Sequence, residues 1–66
     1  MNPTDQFVDR DRLWVPERTA TFLGITVKAL YQMVYRREIP FLKIGRRLRF
    51  EETRLRAWLR GKEVQP

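Results

Sequence analysis

The 66-residue chain contains no cysteine and no histidine. Without thiols there is no disulfide framework and nothing that calls for an oxidising compartment. With histidine missing as well, the usual zinc ligands are gone. No apolar run approaches the roughly 20 residues needed to cross a bilayer, and residues 1–5 lack the basic-then-apolar pattern of a secretory leader. These absences lead to the expectation of a cytoplasmic protein with no metal, no cofactor and no membrane contact. Catalytic equipment is equally scarce, since there is no Gly-rich phosphate loop. The adjacent carboxylates Glu51 and Glu52 would project about 100° apart on a helix, whereas paired acid–base carboxylates face each other across a cleft. No enzymatic activity is expected. What remains is a chain near the lower limit for one domain built on an apolar core alone. Candidates for that core are Leu13, Trp14, Phe22, Leu23, Leu30, Met33, Ile39, Leu42, Ile44, Leu48, Phe50, Leu55, Trp58 and Leu59.

Charge, by contrast, is abundant and unevenly placed. The chain carries a net +6. Residues 1–27 set Arg10, Arg12 and Arg18 against Asp5, Asp9, Asp11 and Glu17, a net of −1, while residues 28–60 hold a net of +7. A field segregated in this way reads as the footprint of a polyanion-binding face rather than as evenly spread surface charge.

The positive half begins at an organised segment, Ala20-Thr21-Phe22-Leu23-Gly24-Ile25, followed by Leu30 and Met33. A small residue precedes a glycine by four positions, and apolar residues follow that glycine at one, six and nine. This spacing predicts two helices joined by a tight turn. Ala20 lets the helices cross closely, Gly24 supplies the positive φ of the turn, and Ile25, Leu30 and Met33 fill the wedge between them. Such a unit places its second helix in the major groove of DNA.

Around it, residues 1–12 are polar and charged and are expected to form a flexible arm, residues 13–60 the folded domain, and residues 61–66 a tail. Leu13-Trp14-Val15 reads as a short extended segment. Pro16 suits the first position of a first helix over 16–23, with Glu17 at its positive end. Thr26 is the expected N-cap of a second helix over 27–37. Its apolar stripe is Leu30, Met33 and Val34, and Pro40 bars propagation beyond Ile39. Residues 41–50 alternate as strands do. Pairing Ile44 with Leu48 and Leu42 with Phe50 would collect all four on one face, set Lys43 against Arg49, and leave Gly45-Arg46-Arg47 as a three-residue tip. Glu51 and Glu52 would open a third helix, with Leu55, Trp58 and Leu59 as its stripe and Gly61 at its end. The fold class expected is mostly α with a small β-hairpin, a winged helix-turn-helix.

Taken together, Ala20, Phe22-Leu23-Gly24-Ile25-Thr26, Leu30-Tyr31, Ile39-Pro40, Lys43, Ile44-Gly45-Arg46-Arg47, Arg49-Phe50 and Ala57-Trp58-Leu59 resemble the small MerR-like winged helices of excisionases and related phage and plasmid regulators. The resemblance spans residues 13–59. Two departures are Val15, where such domains often place a serine or threonine cap, and Glu38, where glycine commonly precedes the apolar-Pro step. The resemblance implies duplex DNA binding, with the second helix in the major groove and the wing against the adjacent minor groove or backbone. It implies an excisionase-like recombination directionality factor or a small transcriptional regulator, with a recombinase or integrase as a further partner. Full-length MerR-type regulators continue into a long dimerising helix and an effector domain, and with the sequence ending soon after Leu59 neither is expected here.

The residues expected to meet DNA are Thr26, Val27, Lys28, Tyr31, Gln32, Arg36, Arg37, Lys43, Arg46, Arg47 and Arg49. Gln32 suits adenine and Lys28 suits guanine or a phosphate. Val27 could touch a thymine methyl, and Tyr31 could reach a phosphate through its hydroxyl. Arg36 and Arg37 suit phosphates, Arg46 and Arg47 at the hairpin tip suit a narrow minor groove, and a phosphate would relieve the repulsion between Lys43 and Arg49. The alternative is an adaptor whose basic face docks an acidic partner or a recombinase. RNA binding ranks lower, because Tyr31 and Tyr35 sit on a helix and not on a base-stacking sheet. The acidic arm and the basic remainder further suggest head-to-tail self-association on DNA.

Overall fold

The computed structural model describes residues 12–64. The arm expected over residues 1–12 therefore lies, apart from Arg12, outside the described residues, as do the last two residues of the tail. The element order is β1 (Leu13–Trp14), α1 (Pro16–Leu23), α2 (Val27–Tyr35), β2 (Leu42–Ile44), β3 (Arg47–Glu51) and α3 (Glu52–Arg60). Strand β3 is central and pairs antiparallel on both edges, giving the order β1-β3-β2. Leu13 faces Glu51 and Trp14 faces Phe50, so the extended segment before α1 is the third strand of the sheet.

Helix α1 starts without a side-chain cap at Val15 but with Pro16 at its first position, where the missing N–H leaves nothing unsatisfied. The Thr19 hydroxyl, fully buried, donates to the Val15 carbonyl at 3.1 Å. Gly24 ends the helix at φ 71°, ψ 30°. Ile25 N–H donates to the Ala20 carbonyl and Gly24 N–H to the Thr21 carbonyl, at 3.0 and 3.2 Å. This is the Schellman closure that a left-handed residue permits. The chain re-enters helix immediately at Thr26, whose Oγ1 accepts from Ala29 N–H at 3.0 Å. The turn predicted from the Ala20–Met33 spacing is thus formed by those residues.

Helix α2 stops at Tyr35, two residues before the expected Arg37. The reason is a second Schellman closure. Glu38 N–H donates to the Met33 carbonyl at 2.9 Å and Arg37 N–H to the Val34 carbonyl at 3.0 Å. This closure places Arg37 itself at φ 57°, a conformation that favours glycine. The glycine-type position before Ile39-Pro40 is therefore Arg37 and not Glu38.

The hairpin differs from expectation in register. Leu42 faces Arg49, Lys43 faces Leu48 and Ile44 faces Arg47, leaving a two-residue Gly45-Arg46 tip. Gly45 has φ 62° while Arg46 does not enter the positive region, the pattern of a type II′ turn with glycine first. Directly opposed residues share a face. One face of the hairpin therefore carries Lys43, Leu48 and Phe50, and the other carries Leu42, Ile44, Arg47 and Arg49. The expected Lys43–Arg49 and Ile44–Leu48 pairs do not form, and Ile44 is 45% exposed instead of being a core residue. The tip projects beyond the core, so turn geometry decides the register there instead of apolar burial.

Helix α3 begins one residue later than expected. Glu51 closes β3 and serves as N-cap, its two carboxylate oxygens accepting from Thr53 and Arg54 N–H at 3.0 and 3.1 Å. Glu52 opens the helix and pairs with Arg56 at 2.9 Å. The core consists of Trp14, Ala20, Leu30, Ile39, Phe50 and Leu55, with Leu23, Ile25, Val27, Met33, Val34, Phe41, Leu48 and Trp58 packed around it. Ala20 is 2% exposed between α1 and α2, the close crossing a small residue allows. Phe22, expected in the core, is on the rim, edge-on to Trp14 at 5.0 Å and covered by the Arg56 guanidinium at 5.1 Å. Three helices, two of them joined by a tight turn, with a hairpin packed beside them, make a winged helix-turn-helix.

Candidate nucleic-acid interface

Helix α2 buries Leu30 completely and half-buries Met33 and Val34, so its opposite face is turned outward. That face carries Lys28, Tyr31, Gln32 and Tyr35 at helical spacings of three and four, a single stripe two turns long. Tyr31 is 48% and Tyr35 89% exposed. With Val34 and Arg36 these side chains line a shallow concavity along the helix. Thr26 and Val27, at the helix start, are placed differently. The Thr26 hydroxyl is engaged as the cap, and Val27 leans against the core.

A second concavity runs between α2 and the wing. Its walls are Tyr31, Val34, Tyr35 and Arg37 on the helix side and Phe41, Lys43, Arg46 and Leu48 on the hairpin side. Lys43 points into it because the observed register puts Lys43 on the face of Leu48 and Phe50. The guanidinium of Arg37 lies 5.9 Å from the Phe41 ring centroid, a cation–π distance. Positive charge is thereby gathered from two elements. Arg36 and Arg37 come from the end of α2, and Lys43 and Arg46 from the hairpin.

Of the eleven residues expected at the interface, the structure brings Lys28, Tyr31, Gln32 and Arg36 together along α2, and Tyr31, Arg37, Lys43 and Arg46 together across the groove. It does not bring in Arg47 and Arg49, which occupy the other face of the wing. Arg49 is partly buried and its guanidinium donates to the Leu48 carbonyl at 2.7 Å. Tyr35 lines both concavities and was not among the expected contacts. Its signal in the sequence is its place seven residues after Lys28, on the same stripe. Among the described residues, the ion pair between Glu52 and Arg56 lies on α3, and the cations of α2 and the hairpin tip have no carboxylate partner.

The remaining surface has a different chemistry. Trp14, Arg18, Phe22 and Arg56 interleave on the α1–α3 side, with the Arg18 guanidinium 4.5 Å from the Trp14 ring centroid. Glu17 and Glu52 neutralise this side, so it shows no excess of either sign. No helix among the described residues is long and apolar enough to cross a membrane, and among them no group of histidine, cysteine and carboxylate side chains could hold a metal ion.

Comparison with known proteins agrees with the architecture. Neither the curated proteins nor the solved structures include a match to this chain. A family model described as a helix-turn-helix domain matches residues 16–63, a span that runs from the start of α1 past the end of α3. A helix-turn-helix is a DNA-binding architecture whose second helix carries the contacts. With most of its length matched by that model, and with the turn at Gly24 and the exposed stripe of α2 both present, the chain belongs to the helix-turn-helix domain family.

Proposed function

We propose that this protein binds double-stranded DNA sequence-specifically, with α2 in the major groove and the hairpin wing against the adjacent minor groove or backbone. The observation that carries this reading is the coincidence of two features on one side of the fold. A polar, hydrogen-bonding stripe (Lys28, Tyr31, Gln32) stands outward on α2, and a basic groove (Arg37, Lys43, Arg46) lies directly beside it. The stripe has the donors and acceptors that read base edges. The groove has the cations that hold a sugar-phosphate backbone.

In the cell the protein acts as an excisionase-like recombination directionality factor or as a small regulator of transcription, with a recombinase or integrase as a partner in the first case. A single module covers roughly 600–1,000 Å² of protein surface on DNA, which seldom gives high specificity alone. Copies at adjacent sites would supply the rest, the acidic side chains Asp5, Asp9 and Asp11 of one copy meeting the basic domain of the next in a head-to-tail row.

Competition between labelled duplex DNA, structured RNA and an acidic polypeptide at moderate salt tests the reading. Duplex DNA as the strongest competitor supports it. Preference for the acidic polypeptide would establish the adaptor reading instead, and preference for RNA would replace both.

A further inference from the structure

Tyr35 has no structural task in the free protein. Its side chain is 89% exposed. Among the described residues its side chain takes part in no ring contact or hydrogen bond, and it lies one turn beyond Tyr31 and Gln32 on the outward stripe of α2. With Tyr31 and Val34 it is shared by the two concavities, lining the stripe on one side and the groove toward the wing on the other, and it is the most exposed of the three. With the 48% exposed Tyr31 one turn before it, Tyr35 sets two aromatic rings on a strongly basic face. The flanking groups Arg36, Arg37, Lys43 and Arg46 indicate that the partner of this face is a polyanion.

We infer that Tyr35 is a DNA-contacting residue which anchors the strand that passes between α2 and the wing. This rests on the reading of the protein as a duplex binder and names a residue that reading did not include. If α2 lies in the major groove and the wing reaches the neighbouring minor groove, the sugar-phosphate ridge separating the grooves must cross the concavity whose rim is Tyr35. The ring would pack against the deoxyribose edge and the hydroxyl would donate to a phosphate oxygen, a charge-assisted bond. Because tyrosine is uncharged, this contact fixes position without releasing counterions.

The test uses the full chain and a labelled mixed-sequence duplex of about two helical turns, with affinity followed across a salt series by fluorescence anisotropy. Tyr35→Phe, which keeps the ring, is expected to bind about tenfold more weakly, in line with one lost hydrogen bond to a charged group. Tyr35→Ala is expected to bind more weakly still. Both should keep the wild-type slope of log K against log salt, whereas Arg46→Ala should lower its magnitude by about 0.9. Unchanged melting curves are expected for both tyrosine variants, since the side chain supports no packing. Binding by Tyr35→Ala equal to wild type, or a slope that falls as for Arg46→Ala, would overturn the assignment while leaving the duplex-binding reading in place. Failure of the wild-type chain to bind any duplex would instead overturn that reading and this inference with it.

Discussion

Arg37 should respond to two similar truncations with opposite effects on stability. It sits at φ 57° in the closure that ends α2. A non-glycine residue held in the left-handed region costs about 1–2 kcal/mol relative to glycine's freedom there. Replacing Arg37 with glycine removes that strain. It also adds unfolded-state entropy opposing folding, about 0.4–1 kcal/mol, and removes the 5.9 Å contact with Phe41, an exposed cation–π pair of about 0.5 kcal/mol. Taken at the middle of these ranges the sum is a stabilisation of about 0.3 kcal/mol, or about 1–2 °C in Tm for a domain of this size. Arg37→Ala keeps the strained backbone and loses the same contact, so it should be destabilised by about 0.5 kcal/mol. Both variants lose the same charge from the groove and should weaken duplex binding equally. Thermal melting by circular dichroism, with anisotropy binding on the same samples, measures both quantities. If the glycine and alanine variants melt together, the left-handed strain at Arg37 is not a stability term and the reasoning is wrong.

Other substitutions probe the remaining supports. Glu51→Ala removes the carboxylate that accepts from two N–H groups at the start of α3 and should cost about 2 kcal/mol in chemical denaturation, the upper end for an N-cap. Ala20→Leu, at a site 2% exposed between α1 and α2, should cost about 1–3 kcal/mol by overpacking and also weaken binding, because it pushes α2 off its seat. Lys28→Ala and Gln32→Ala should relax preference at one or two base pairs in a selection from random duplexes, at about 1–3 kcal/mol per lost bidentate contact, while Arg46→Ala weakens all duplexes or selects against AT-rich flanks. A slope of log K against log salt of about −4 to −5 is expected for wild type if four to six phosphates are neutralised.

The parts of this fold that were legible in the sequence are those where one residue type meets one local requirement. Gly24 was readable as a turn because its position needs positive φ, Thr26 as a cap because its hydroxyl precedes a run of helix formers, and Leu30 as core because its neighbours repeat at three and four. The hairpin register departs from the alternation for an equally local reason. Alternation assigns faces only where one face is buried, and at residues 43–47 neither face is enclosed, so the Gly45-Arg46 turn decides. The same slip hid the geometry of the groove, since it set Lys43 against Arg49 when Lys43 lies opposite Leu48 and lines the α2–wing cleft. Arg37 was unreadable as a left-handed residue because arginine carries no signal for it. That conformation follows from the closing hydrogen bonds of α2, which only the three-dimensional path ahead of Ile39 and Pro40 reveals. Tyr35 is visible on the stripe, but its place between two concavities follows only from the packing of the wing beside α2.

If α2 and the wing form one duplex-binding face, DNA must perturb both together. Backbone amide shifts of the labelled protein, followed by NMR during titration with a short duplex, test it most directly. The largest changes are expected on residues 28–37 and 43–46, with the α1–α3 side around Arg18, Phe22 and Arg56 unmoved. Changes concentrated around Arg18, Phe22 and Arg56, with Lys28, Gln32 and Lys43 silent, would contradict it.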